Sequence, residues 1–278
     1  MRSTTRTILY HIALAWAVAT GAASGQIAVQ REDVITLPRA LQEISGLTPA
    51  GAQRVLTHND EKGIVYSVDL ATGDVDEVLQ LGSVAARADF EGITQYNDFL
   101  YLVTSNGLLY EARLDQQTKE VRFNTYDTGL DRVCEIEGIA ADSLGRVYLL
   151  CKQFGAELAP ARLVIYRWDL TRRLQPPEAW VDLAVGERFA TLNLMTNDVL
   201  WTALSYDASR KEVLALAGRQ GFVVSLNRDG VPTGAIALAQ GAHRQPEGMA
   251  ILDDRTLLIS DEGGDGPGTL SIYRQFGD

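Results

Sequence analysis

The sequence predicts an all-β fold: a five-bladed β-propeller of four-stranded blades, formed as one domain by residues 26–278. Three observations lead to this prediction. A short motif, Glu-Gly in its fullest form, recurs about every 46 residues. Apolar runs of strand length fill each interval between motifs, and turn residues separate them. Four strands in a repeat of this length are typical of propeller blades.

The motif, called here the E-G motif, occurs five times as a small residue followed by an apolar one. The five copies are Glu43–Leu47, Asp89–Ile93, Glu135–Ile139, Leu200–Leu204 and Gln245–Met249. Their third residues are 46, 46, 65 and 45 positions apart, so three intervals are nearly equal. We interpret residues 184–197 in the long interval as an insertion between blades. A degenerate sixth blade within residues 184–200 and a solenoid of β-repeats remain as alternatives.

Three apolar runs after each of the first four motifs are predicted to be strands. They are 54–57, 64–70 and 75–81; 99–104, 108–114 and 120–126; 146–150, 162–169 and 179–183; and 212–216, 222–227 and 233–238. Residues 69–73, Asp-Leu-Ala-Thr-Gly, are predicted to form a turn. The fifth unit offers only 255–260 and 269–273. We expect Ile27–Leu37 to supply its outer strand, which would close the ring and leave no open edge.

The first 25 residues are predicted to be a signal peptide. A basic start with Arg2 and Arg6 precedes a short apolar run, Ile8–Ala19, and Ala23–Gly25 supplies small residues for cleavage. This predicts export to the periplasm or cell envelope, with no membrane insertion after cleavage. An uncleaved N-terminal membrane anchor is the alternative.

The charge and the cysteines restrict the partners and the compartment. The formal net charge of -11 argues against nucleic acid and anionic membranes, which require clustered basic residues, and favours a cation. Cys134 and Cys151, the two cysteines of the chain, fall in one predicted hairpin. They form either a disulfide, which export permits, or two buried thiols.

Carboxylates are predicted to crowd one mouth of the central channel. The first strand of a blade begins at the rim where the second strand ends, so two positions of the repeat meet there. One is the third residue of the motif. The other lies fourteen residues after the small residue and holds Asp60, Asn106, Lys152, Ala217 and Glu262. Glu43, Asp89 and Glu135 lie two residues before the third position, on the same strand face.

These two rows predict a metal site, because crowded carboxylates must be protonated, paired or bound to a cation. Lys152 could neutralise one of them. The predicted ligands are Glu91, Glu137, Glu247, Asp60, Asn106 and Glu262. Calcium suits a set of oxygen ligands in an exported protein better than a soft metal does.

Catalytic residues are not identified by the sequence. The chain has no G-x-S-x-G elbow, P-loop or C-x-x-C motif. Only His58 and His243 follow the predicted signal peptide, which disfavours a His-rich zinc site. His58 is a candidate general base beside Asp60, but no nucleophilic Ser or Cys accompanies it.

The ordered motifs resemble the SdiA-regulated family over roughly residues 30–275. The resemblance rests on Glu43–Leu47 with His58–Asp60, Asp89–Ile93, Glu135–Ala140, Leu204–Asp207, and Pro246–Met249 with Ser260–Glu262. It implies a calcium-binding five-bladed propeller of the cell envelope, in a family whose biochemical role is poorly defined. The chain is more distantly similar to NHL-type propellers and to esterase-like phytases. Leu200 and Thr202 depart from the acidic residue and Ser usual in the fourth unit.

Two classes of function follow from these observations. The first is a binding module, in which the calcium-stabilised mouth captures an unknown small molecule, a peptide or an envelope partner. The alternative is a calcium-dependent hydrolase, resembling a lactonase, esterase or phosphoesterase, acting at the channel mouth. A purely structural metal with a partner bound to the outer surface is a third possibility. The binding module is preferred, because no acid–base pair stands out beyond the predicted metal ligands.

Overall fold

The computed structural model describes residues 29–114, 118–152, 162–172, 175–185, 199–239, 241–274 and 276. The predicted signal peptide and residues 186–198, most of the predicted insertion, lie outside these ranges. The described part of the chain is almost entirely β-structure, with two 3-10 helices at Arg39–Leu41 and Leu170–Arg172. None of its helices is long and apolar enough to cross a membrane.

The described residues form twenty-one strands. In chain order they are β1 (Asp33–Thr36), β2 (Ile44–Pro49), β3 (Arg54–Asn59), β4 (Ile64–Asp69), β5 (Val75–Leu81), β6 (Phe90–Tyr96), β7 (Phe99–Thr104), β8 (Leu108–Arg113), β9 (Glu120–Val121), β10 (Phe123–Asp127), β11 (Glu135–Ala141), β12 (Arg146–Lys152), β13 (Arg162–Asp169), β14 (Glu178–Ala184), β15 (Trp201–Asp207), β16 (Glu212–Ala217), β17 (Phe222–Leu226), β18 (Pro232–Ala237), β19 (Pro246–Ile251), β20 (Leu257–Asp261) and β21 (Thr269–Tyr273). Apart from residues 120–126 and the first half of Ile27–Leu37, they agree with the predicted strands to within a few residues at each end.

These strands build five antiparallel blades, as predicted. From the channel outwards the blades are β2-β3-β4-β5, β6-β7-β8-β10, β11-β12-β13-β14, β15-β16-β17-β18 and β19-β20-β21-β1. The inner strands β2, β6, β11, β15 and β19 contact one another in a closed ring. Because β11 and β15 are direct neighbours, the long interval contributes no sixth blade between them, and the closed ring excludes a solenoid.

The fifth blade is completed by the N-terminal strand, which confirms the predicted closure. β1 pairs antiparallel with β21, with Asp33 opposite Ile272 and Thr36 opposite Thr269. The blade therefore joins both ends of the described chain, and its outer edge is formed by a strand that precedes the first motif.

One predicted strand is divided between two blades. Residues 120–126 were expected to form a single outer strand of the second blade, but only β10 pairs with β8. β9 instead pairs in parallel with β5 of the first blade, adding a fifth strand to that sheet. Val121 is buried there with Leu81 and Phe90, in the apolar cluster between the first two blades. Burial of this valine accounts for the split and ties the two blades together.

The core of the described chain lies between the blades, as five apolar clusters with one at each interface. Toward the channel, the inner strands approach so closely that only small residues fit. A Cβ atom added to Gly46 would lie 2.7 Å from the Ile93 nitrogen, and one added to Gly92 would lie 3.0 Å from the Ile139 nitrogen. At Gly248 the added atom would overlap the Ser45 carbonyl oxygen.

The close approach at Gly248 predicts a large cost for a single methyl group. We expect Gly248→Ala to lower the free energy of unfolding by about 1–3 kcal/mol, because the fifth and first blades must move apart. Gly234→Ala in β18 is the matched control, since no atom lies within 4 Å of its added Cβ. Urea denaturation of both variants measures the difference; equal stabilities would contradict close packing of the inner strands.

Candidate functional site at the channel mouth

Every inner strand carries a β-bulge at the third residue of the E-G motif. The pairing with the second strand passes from Phe90 to Gly92 and from Ile136 to Gly138, and likewise over one residue in the fourth and fifth blades. In the first blade it passes from Ile44 to Leu47, over two residues. The skipped residues include Glu91, Glu137, Thr202 and Glu247. Bulges re-aim side chains out of the regular pleat. The small fourth residue follows at the point where the neighbouring strand is closest.

The three motif glutamates converge at one end of the channel, as the sequence predicted. Glu91, Glu137 and Glu247 line a single narrow cavity of about 10 Å³, called here the neck. Such a volume is about that of one water-sized sphere. The fifth motif residues close the channel beneath it with an apolar layer. This layer consists of Leu47, Ile93, Ile139, Leu204 and Met249, all of them buried.

The neck makes its carboxylates difficult to ionise. Burial, followed by the charges of Glu137, Asp89 and Glu247, raises the pKa of Glu91 to about 8. Burial, followed by the charges of Glu262 and Glu137, likewise raises the pKa of Glu247 to about 8. Opposing these carboxylates, Lys152 lowers both values. The glutamates therefore compete for one positive charge.

Lys152 pairs directly with Glu137. Its Nζ atom donates a hydrogen bond to Glu137 Oε1 at 2.6 Å, and the glutamate is only 6% exposed. Burial still raises the pKa of Glu137 against this pairing. Lys152 is held in place by its neighbour Cys151, which forms a disulfide with Cys134 at the start of the adjacent strand. The sequence left this disulfide open; the structure shows that it links the first two strands of the third blade beside the neck.

A second acidic group lies further out on the rim, where the fifth blade meets the first. Burial, followed by the charges of Glu43, Glu61 and Asp89, raises the pKa of Asp60. The Asp60 Oδ1 atom is buried without a hydrogen-bond partner. Burial and the charge of Asp60 likewise raise the pKa of Glu262, whose carboxylate accepts a hydrogen bond from Gln245. The rim acids thus add to the negative potential above the neck.

The predicted fourteen-residue offset holds in three blades and shifts by one in two. The backbone nitrogen of Asp60 donates a hydrogen bond to the Glu43 carbonyl oxygen at 3.2 Å, and that of Glu262 donates to the Gln245 carbonyl oxygen at 2.9 Å. Each acceptor lies three residues before the small residue of its motif. In the second blade Ser105 makes this bond, so Asn106 lies one residue beyond the equivalent position. Asn106 Oδ1 instead accepts a hydrogen bond from Thr104 at 2.6 Å. In the fourth blade Gly218 takes the place expected for Ala217.

The donor atoms suit a hard cation, but they are not gathered around one point. Within the described ranges, no three His, Cys, Asp or Glu side chains are positioned to hold one metal ion. The raised pKa values of Glu91 and Glu247, together with the Asp60 oxygen that has no hydrogen-bond partner, mark carboxylates whose charge is poorly compensated. Several oxygen ligands of this kind match calcium coordination in chemistry.

Comparison with protein families agrees with the arrangement of the motifs. The model of the SdiA-regulated family matches residues 32–262, from before β1 to the end of β20. The chain belongs to the SdiA-regulated family. The family assignment thus covers all five E-G motifs and both rows of residues at the mouth.

Solved structures of other proteins share the fold at low identity. A luciferin-regenerating enzyme aligns with a TM-score of 0.56 and 7% identity, over 88% of this chain and 96% of that one. The PQQ-bound aldose sugar dehydrogenase from Streptomyces coelicolor aligns at 0.50 and 12%, over 88% and 99%. Regucalcin from Agrobacterium tumefaciens, a calcium-binding protein, aligns at 0.49 and 11%, over 90% and 97%. At these identities the likeness of this SdiA-regulated protein to the three structures concerns the fold alone.

The two histidines among the described residues, His58 and His243, are both enclosed. His58 is fully buried, and burial lowers its pKa to about 4 although its ring contacts the Asn59 carbonyl. Its ring is therefore a weak base, and its burial keeps it from a substrate at the mouth. His243 bridges Asp261 and the Tyr273 hydroxyl, at 2.6 and 2.7 Å. This bridge anchors the loop before β19, and sequence analysis missed it because its members are far apart in the chain.

The neck makes stability depend on pH. Glu91 and Glu247 have ordinary pKa values of 4.5 and folded values of about 8, so between these limits the folded protein retains protons that the unfolded chain releases. Their contribution is fully present below pH 4.5 and is lost as pH rises through about 8. We expect the unfolding midpoint in chelator to fall across this range.

Glu91→Gln tests whether ionisation in the neck causes this pH dependence, because the glutamine amide cannot ionise. At about pH 8 and without added metal, the variant should be more stable than the wild type by about 1 kcal/mol, a value reduced for partial solvation. Glu120→Gln, at an exposed position on β9, is the control. Identical pH profiles for the wild type and Glu91→Gln would show that the neck does not penalise ionisation.

Proposed function

We propose that the chain is an exported calcium-binding β-propeller whose acidic mouth captures a small molecule or an envelope partner. One observation carries the proposal: Glu91, Glu137 and Glu247 converge in the neck, where burial, followed by the charges of neighbouring carboxylates, raises their pKa values. One lysine faces three carboxylates there. A divalent cation would relieve the repulsion that Lys152 leaves uncompensated.

The three neck glutamates are the proposed ligands, with the rim residues Asp60 and Glu262 supplying further oxygen atoms or binding through water. Binding requires the carboxylates to rotate toward a common point and Lys152 to release Glu137. Calcium tolerates this better than magnesium does, because its coordination number and geometry are flexible. A bound calcium would supply a Lewis-acidic position for oxygen atoms of a ligand at the mouth.

Capture is favoured over hydrolysis by the position of His58. The sequence offered this residue as the candidate base, but it is fully buried and its pKa is lowered to about 4. The disulfide between Cys134 and Cys151 supports the exported location, because such bonds persist in oxidising compartments. The amino-terminal 25 residues have the pattern of a signal peptide, and the proposal takes the mature chain to begin after them.

Thermal unfolding of the mature protein tests calcium binding. Calcium at a hundredfold excess over its Kd should raise the midpoint by about 5–10 °C, since preferential binding to the folded state stabilises it. Magnesium should raise it less, and chelator should reverse the effect. Glu137→Gln should lose most of the calcium-dependent shift.

The matched control is again Glu120→Gln, which should keep the full shift. The readout is the difference with and without calcium, so a general loss of stability in Glu137→Gln does not affect it. If calcium and chelator leave the wild-type midpoint unchanged, the calcium proposal fails. If both glutamine variants respond equally, calcium binds elsewhere than the neck.

A further inference from the structure

A second cavity opens at the opposite end of the channel. It measures about 430 Å³ and is formed by the later parts of the inner strands and the hairpins that follow them. This end of the molecule contains none of the predicted metal ligands. Small-molecule sites in proteins commonly have volumes of 300–1,000 Å³, so the far cavity, as we call it, has sufficient room for a ligand.

The apolar layer separates the far cavity from the neck. Leu47, Ile93 and Ile139 line both cavities, as does Leu204, and all four side chains are buried. A molecule in the far cavity therefore rests on an apolar floor and does not reach the neck glutamates. The two ends of the channel can bind different ligands.

Hydroxyl groups stand around the wall just above this floor. Thr48 and Thr94 occupy the position after the apolar layer, line the cavity and are each only 5% exposed. Neither side chain hydrogen-bonds to another described residue. Ser205, at the same position of the fourth blade, also lines the cavity, and its hydroxyl accepts a bond from the Ile251 nitrogen at 3.2 Å. The hydroxyl groups of Thr48 and Thr94 are therefore available to a ligand in the cavity, as donors or as acceptors.

Two half-buried tyrosines, Tyr96 and Tyr206, stand nearer the opening. The Tyr96 ring packs on Gly145, where an added Cβ would lie 2.9 Å from the ring. The cavity is also nearly neutral. Asp142 accepts hydrogen bonds from the Arg146 guanidinium at 2.6 Å and the Tyr148 hydroxyl at 3.1 Å. Asp253 lies exposed at the rim, and no lysine or arginine is among the described residues lining the cavity.

We propose that the far cavity binds an uncharged, hydroxylated molecule the size of one or two sugar units. Its apolar faces would contact the tyrosine rings and the floor, and its hydroxyl groups would pair with Thr48 and Thr94. An anion would find no cationic side chain in the lining. A purely apolar ligand would leave the threonine hydroxyls buried without partners, which is unfavourable.

Isothermal titration of the mature protein with glucose, maltose and cellobiose tests the proposal. At least one of these should bind saturably, and gluconate, which has a similar size but carries a negative charge, should bind more weakly. Thr94→Val keeps the shape of the side chain and removes its hydroxyl, so it should raise the Kd about tenfold. Thr125→Val, at an exposed position of β10, is the control and should bind as the wild type does.

Saccharide binding should persist in chelator and in Glu137→Gln, because the apolar layer isolates the far cavity from the neck. Saccharide binding without calcium therefore tests the far cavity independently of the calcium proposal. Lack of saturable binding up to about 10 mM for all three sugars would overturn the inference. Equal affinity in Thr94→Val and Thr125→Val, with both variants folded by thermal melts, would also overturn it, as would tighter binding of gluconate.

Discussion

The close approach of the five inner strands around the channel determines the rest of this molecule. Gly46, Gly92, Gly138 and Gly248, with Ala203 in the fourth blade, occupy the fourth motif position, where a larger side chain would meet the backbone of the next blade. The bulge directly before this residue frees the third side chain from the pleat. The residue after it is forced into the apolar layer. A single steric requirement thus creates the neck, seals it from below and leaves a second cavity at the far end.

The architecture could be predicted because the need for a small residue in every inner strand produces a regular spacing in the sequence. Small residues recur at a fixed period, so the blades could be counted, and the incomplete fifth unit indicated the closure by β1. The row of partners at the mouth was less predictable. It depends on the length of the hairpin between the first and second strands of each blade. In the second blade only Asn97 and Asp98 form this hairpin turn, and in the fourth blade the hairpin is one residue longer than in the first. Asn106 and Ala217 were therefore assigned one residue away from the equivalent positions.

Charges at the mouth depend on burial and pairing, which a repeat alignment does not contain. The sequence predicted that Lys152 lies among several acids. In the structure it forms an ion pair with Glu137, the third motif residue of its own blade. The same limit applies to His58, whose position beside Asp60 suggested a base although its ring lies in the core. The pairs that link distant segments, such as His243 with Tyr273, were invisible for the same reason.

The motif determines the chemistry of the channel layer by layer, because consecutive residues of each inner strand lie at successive depths. Third residues bring carboxylates to the neck, fifth residues form the apolar layer, and sixth residues bring the hydroxyls of Thr48, Thr94 and Ser205 to the far cavity. Packing requires a small residue at the fourth position and an apolar one at the fifth, whereas the third and sixth positions vary between blades. The blades therefore need not be equivalent in chemistry. The fourth blade has Thr202 at the third position, where three other blades have glutamate, and the ring still closes because Ala203 fits between its neighbours. An acidic site and a neutral one can coexist in one channel because the apolar layer keeps their electrostatic requirements apart.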